Sequence, residues 1–154
     1  MTEDSVITDE MRRIAETWVS APHVFEVEKG AIKKFALATG DLNPLWQDED
    51  YAKKTKWAGI IAPPTFLKCF RVFDRREDRP IAGPFYKSAS AGDVYELHEP
   101  IRPGDTITVV ARVVDMYERK CKSGRRLFVV YEKTYTNQHG ELVAKGWWTG
   151  VTFE

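Results

Sequence analysis

The sequence predicts an α+β fold in which a curved antiparallel sheet wraps around one buried helix. Three observations carry that expectation. Val94 to Ile101, Thr106 to Tyr117, Arg126 to Thr136 and Leu142 to Phe153 are rich in β-branched and aromatic residues, which favour strands. Arg102-Pro103-Gly104-Asp105, Lys122-Ser123-Gly124 and Asn137-Gln138-His139-Gly140 separate them with turn chemistry, which predicts three successive hairpins. Finally, Phe66, Leu67, Cys69, Phe70, Val72 and Phe73 make the stretch Thr65 to Phe73 apolar nearly all round, as a swallowed helix would be.

Each element has a local reason. Thr8 can cap a first helix whose opening turn holds Asp9 and Glu10 and whose apolar face holds Met11, Ile14, Ala15 and Trp18. Pro22 breaks it, and His23 to Val27 reads as a short strand. Lys29 to Thr39 is amphipathic, with Ile32, Phe35, Ala36 and Thr39 on one stripe and Gly40 at the stop. Asp48 caps a short helix through Thr55, and Pro64 sits at the first position of the apolar helix. Arg75 to Gly92 reads as a charged loop. In the second long strand, Ile107, Val109, Ala111 and Val113 alternate with polar or mixed positions, so one face is buried.

The chain has 154 residues, enough for a single domain, 1–154, in which 1–20 is an N-terminal helical extension. Twenty-three basic and 23 acidic residues give a formal net charge of zero, which argues against a general nucleic-acid footprint. The sheet aromatics Tyr131, Tyr135, Trp147 and Trp148 therefore read as core and interface residues and not as a base-stacking platform. No apolar run approaches the ~18 residues of a membrane span, and the start lacks a signal-peptide core, so a cytoplasmic protein with no membrane partner is expected. Cys69 and Cys121 match no zinc spacing, and Cys69 reads as a buried, inert thiol. His23, His98 and His139 are scattered with no partner spaced for a triad or a metal site, so structural or surface roles are expected and no metal is assigned.

Gly40-Asp41-Leu42-Asn43-Pro44-Leu45-Trp46 follows the amphipathic helix, Ile60-Ile61-Ala62-Pro63-Pro64-Thr65-Phe66 opens the apolar one, and Pro100-Ile101-Arg102-Pro103-Gly104-Asp105 precedes a long strand. This layout, from about Phe25 to Phe153, resembles the MaoC-like hot-dog family of R-specific enoyl-CoA hydratases and 3-hydroxyacyl dehydratases, and most of all its N-terminal, fatty-acid-synthase-type dehydratase branch. The resemblance implies a hot-dog fold with a long central helix, pairing with a second hot-dog subunit, and addition of water to a 2-enoyl thioester or the reverse. It implies an acyl-CoA thioester as ligand and no cofactor beyond the coenzyme A of that substrate. The chemistry needs a carboxylate and an imidazole on one water, a backbone N–H for the enolate-like oxygen, and an apolar tunnel.

The family pattern is Asp-x-Asn-Pro-x-His, then His-Gly at the central helix start. Asp41, Asn43 and Pro44 match, but Trp46 stands for the histidine and Pro63-Pro64 for His-Gly. An indole N–H only donates, and proline has no N–H at all. The expectation is therefore a non-catalytic, substrate-binding hot-dog subunit of a hydratase or dehydratase, whose partner, a catalytic MaoC-like chain or a second copy, completes the chemistry. Asp41 is the one remaining catalytic candidate. Asn43, Trp46, Pro64, Thr65 and Phe66 are the expected substrate-binding residues. Lys53, Lys54, Lys56, Arg75, Arg76 and Arg79 are candidate contacts for coenzyme A phosphates, against the simpler reading of solvated surface charge. The alternatives are a self-sufficient hydratase using Asp41, an acyl-CoA thioesterase, and an acyl-CoA-binding scaffold.

Overall fold

In the computed structural model, residues 5–73, 75 and 78–154 are described. Helix α1 (Asp9–Thr17) is followed by β1 (His23–Glu26), α2 (Lys29–Thr39), a 3-10 turn (Pro44–Trp46), α3 (Glu49–Lys53), a second 3-10 stretch (Pro64–Cys69), and strands β2 (Lys87–Leu97), β3 (Thr106–Cys121), β4 (Gly124–Thr136) and β5 (Leu142–Phe153). The strands form one antiparallel sheet in the order β1-β3-β4-β5-β2. No helix among the described residues is long and apolar enough to cross a membrane.

Local chemistry sets the helix ends as the sequence predicts. The Thr8 hydroxyl accepts the Met11 N–H at 3.2 Å, and the Asp48 carboxylate accepts from Asp50 and Tyr51 at 2.9 and 3.0 Å. Gly40 closes α2 with φ at +71°, a left-handed conformation that favours glycine.

Three expectations are corrected. The turn at Arg102 to Asp105 is not a hairpin: β2 pairs with β5, Val94 opposite Trp147, and β3 lies across the sheet. The connection is instead tied to the β1 end, where Val27 N–H donates to the Asp105 carbonyl and Gly104 N–H to the Val27 carbonyl, both at 2.8 Å. Second, β2 starts at Lys87, inside the segment expected to be a loop. Third, Thr65 to Phe73 is not a long helix. It makes six residues of 3-10 structure, Pro64–Cys69, that leave Cys69 exposed, so that thiol is not buried. Pro63 and Pro64 contribute no N–H, and the chain turns out of helical geometry at Phe70 (ψ 86°).

The apolar residues still reach the core. Ile107, Val109 and Ala111 are fully buried on one face of β3, and Val113 nearly so. Over the first three lie Ile32 and Ala36 of α2, Ala52 of α3, and Phe66, Leu67 and Phe70. Over Val113, Leu127, Val129 and Tyr131 lie Met11, Ile14, Ala15 and Trp18, so α1 is packed onto the sheet. Each such large side chain contributes about 2 kcal/mol by leaving water. Gly146 on β5 lets the Tyr95 ring lie flat, since a Cβ there would stand 2.8 Å from Tyr95 Cε1.

The core contains one polar flaw. Tyr135 is fully buried, and among the described residues its hydroxyl has no hydrogen-bond partner. Burial pushes its pKa well above the ordinary tyrosine value. Tyr135→Phe is expected to keep the fold and raise stability by about 1 kcal/mol, because the unsatisfied group is removed without loss of ring packing. A urea midpoint lower than that of the parent protein would contradict this account.

Candidate functional site

The Gly40–Trp46 loop delivers one side chain inward and spends its polar groups on itself. Asp41 N–H donates to the Ala36 carbonyl at 2.9 Å, closing the helix end. The Asp41 carboxylate accepts the Asn43 N–H at 3.1 Å, and the Asn43 side-chain oxygen accepts the Leu45 N–H at 3.0 Å. These are local side-chain turns of the kind Asp and Asn make in loops. Gln47 Nε2 donates to the Asp41 carbonyl at 3.2 Å and fastens the far end. The loop then rolls Trp46 into the core at 8% exposure.

Trp46 forms one wall of an apolar cavity of about 310 Å³. Leu45 and Trp57 flank it, Ile61 to Pro64 and Leu67 make a second wall, and Leu97 to Ile101 with Val143 close the opposite side. The volume lies at the lower end of small-ligand sites, roughly 300–1,000 Å³. The Trp57 wall is held from the turn before β3. Arg102 Nη1 donates to the Trp57 carbonyl at 2.9 Å, and Asp105 accepts the Arg102 N–H at 2.7 Å. Ala58, next to Trp57, is held in the left-handed region at φ +54°, which disfavours a side chain.

The expected site residues separate into two groups. Trp46 and Pro64 line the cavity. Asp41 and Asn43 do not; they shape the loop behind it. Thr65 is exposed and Phe66 is buried at 3% between Phe35 and Phe70, so neither lines it. The Trp46 indole N–H has no partner among the described residues. Among the basic candidates, Lys53 pairs with Glu49 at 3.9 Å, Lys56 lies over the Trp57 ring at 4.7 Å, and Arg76 lies outside the described residues.

Sequence reasoning missed the rim. His98 and Glu99 lie at the cavity, their N–H groups both donating to the Val143 carbonyl at 2.9 and 3.1 Å. His98 Nε2 is 3.4 Å from Glu96 Oε1. The two-residue spacing of Glu96 and His98, in a segment whose sequence reads as strand, was the available signal. Among the described residues, no group of three or more His, Cys, Asp or Glu side chains is arranged to hold a metal.

A curled antiparallel sheet, a short apolar segment across its inner face and a cavity at that segment's start define a hot-dog protein of the dehydratase type. The chain belongs to the FAS1-like dehydratase domain region family, whose model matches residues 15–146. That agrees with the branch the motifs indicate. A UPF0336 protein of Parafrankia sp. is 34% identical over 125 residues, 79% of this chain and 80% of that protein. A probable enoyl-CoA hydratase alpha subunit of Thermomonospora curvata is 29% identical over 138 residues. The match covers 79% of this chain but only 43% of that longer protein. The ChsH1-ChsH2 complex of Mycobacterium tuberculosis shares the fold with a TM-score of 0.77 at 20% identity, over 92% of this chain and 88% of that one.

The loop geometry has a measurable consequence. Asp41→Ala removes one partly exposed side-chain bond, and the expected loss is about 1 kcal/mol of stability with the fold retained. Chemical denaturation followed by tryptophan fluorescence reads it.

Proposed function

We propose that this chain is the substrate-holding, non-catalytic hot-dog subunit of a hydratase or dehydratase acting on 2-enoyl or 3-hydroxyacyl thioesters. A second hot-dog subunit supplies the acid–base pair. The observation that carries this reading is the composition of the cavity. Its inner walls are Trp46, Pro63, Pro64 and aliphatic side chains, and the Asp41 carboxylate is engaged in its own loop. Water addition needs a group that takes a proton and a group that gives one, both on the same water. Trp46 can do neither, and Pro63 and Pro64 offer no amide to an oxyanion. What the cavity offers is a dry surface for an acyl chain.

The sheet supports a partner. The eleven-residue β2 is an edge strand whose other side faces no strand among the described residues, with Val94 and Leu97 more than half exposed. An edge of that length is a template for pairing with another chain. The names of two similar proteins point the same way, one an alpha subunit and one a two-component complex.

One observation favours a second reading. His98, beside Glu96 at the rim, is an imidazole within reach of the cavity. A self-sufficient hydratase would use it where the loop histidine is absent.

A single assay decides between them. The purified chain is expected to hydrate crotonyl-CoA and longer 2-enoyl-CoAs no faster than buffer. Turnover abolished by His98→Ala would replace the first reading with the second. The edge strand gives another measurement. The isolated chain is expected to self-associate at high concentration, and Val94→Lys is expected to shift light scattering towards monomer. A parent chain that stays monomeric would count against a paired subunit.

A further inference from the structure

The apolar cavity has a shut end and an open end, and exposure tells them apart. Trp46, Leu67 and Val143 are 8%, 1% and 1% exposed, and Ile61, Ala62 and Ile101 are buried with them. By contrast, Pro64 and the run Leu97 to Glu99 stand exposed, Leu97 at 52%. The first set is the floor and the second is the mouth. Leu97 also ends the edge strand β2, so the mouth opens where a second subunit would pair. The floor is carbon. The Trp46 indole N–H is buried from water and has no partner among the described residues, so the ring presents carbon atoms to the cavity.

Volume sets what fits. An apolar cavity of roughly 150 Å³ holds benzene, a ring of six carbon atoms. The 310 Å³ here is about twice that, room for about a dozen non-hydrogen atoms. A linear chain of medium length or one substituted ring fits within it, and a polycyclic group does not. Trp46 is the largest side chain on the floor. Its loop is fastened from outside the cavity, by the Asp41 N–H on the Ala36 carbonyl and by Gln47 Nε2 on the Asp41 carbonyl. Resting on the reading of this chain as a substrate-holding subunit, we propose that Trp46 is its specificity-determining residue, closing the floor and limiting the acyl group to about twelve carbons. The apolar end of that group meets Trp46 and Leu67, and the thioester stays at the mouth. In place of an imidazole that moves protons, the loop presents an indole that measures length.

Isothermal titration of the full chain with butanoyl-, octanoyl-, dodecanoyl- and hexadecanoyl-CoA, each below its micelle concentration, tests the limit. Affinity is expected to rise about tenfold or more from butanoyl- to dodecanoyl-CoA, as each added methylene leaves water, and to gain nothing further at hexadecanoyl-CoA. Trp46→Leu deepens the floor and is expected to raise hexadecanoyl-CoA affinity about tenfold with butanoyl-CoA binding little changed. It also removes an orphaned N–H, which offsets part of the packing lost. Ala62→Leu narrows the cavity from another wall and is expected to weaken dodecanoyl-CoA about tenfold. This second variant carries the test if far-UV circular dichroism shows that Trp46→Leu does not fold. Affinity that keeps climbing to hexadecanoyl-CoA in the parent, or a length profile unchanged in either folded variant, overturns the limit. Absence of binding by the whole series overturns it together with the substrate-holding reading. A parent chain that shows the break in length but hydrates crotonyl-CoA keeps the limit and loses only the non-catalytic role.

Discussion

The structure depends on covering one continuous apolar sheet face with very little helix. Ile107, Val109, Ala111 and Val113 on β3, with Tyr131 and Tyr135 on β4, demand a lid along the whole strand. The available lids are α1, α2, α3 and two 3-10 segments, the longest of them eleven residues. Flat rings fill what the helices leave open. Trp18, Phe73, Tyr131 and Trp148 form one run of ring contacts at 5.0–5.9 Å, and Phe25, Phe66, Phe70 and Tyr135 form another at 5.4–6.2 Å. An aromatic ring brings a large buried area with only two side-chain torsions to fix. Phe73 packs against both halves of the core and joins them.

The same economy shapes the cavity. A proline pair opens the 3-10 stretch, so the chain enters the core without backbone donors at its first positions. A donor there would need either a ligand oxygen or a protein acceptor. Prolines remove that demand, and Trp46 occupies volume from the other side. The result is an apolar wall with few groups for water to bond. The turn before β3 belongs to this design: Arg102 reaches 45 positions back along the chain to the Trp57 carbonyl and keeps the indole wall upright.

Much of the fold was legible because its signals are local. Alternation marked the buried face of β3, and the ends of α2 and β5 were written in Gly40 and in the turn before Leu142. Three things were not legible, each for a non-local reason. Lys87 to Gly92 carries small and polar residues with weak strand preference, and becomes a strand by pairing with β5. Hydrophobicity around Thr65 to Phe73 reported burial correctly, but burial does not distinguish a helix from a short turn followed by an irregular chain. β2 and β3 follow one another in sequence but lie far apart in the sheet, which no turn motif records. At the site, the loop motif located Trp46 and the double-proline motif located Pro64. The opposite wall, His98 and Glu99, comes from a distant segment that only the closed sheet brings near.

The missing side chain at Gly146 links these parts. The Tyr95 ring occupies the room a Cβ would take, and the Tyr95 hydroxyl donates to Asp93, which in turn holds Lys68. Tyr135 lies on the same bare patch of backbone, 3.3 Å from the vacant position. One hydrogen atom on β5 thus keys the interior to charges outside it. A methyl group placed there would lift the phenol and unseat the carboxylate, so a change made wholly in the core would be felt at the surface, in the ion pair of Asp93 with Lys68.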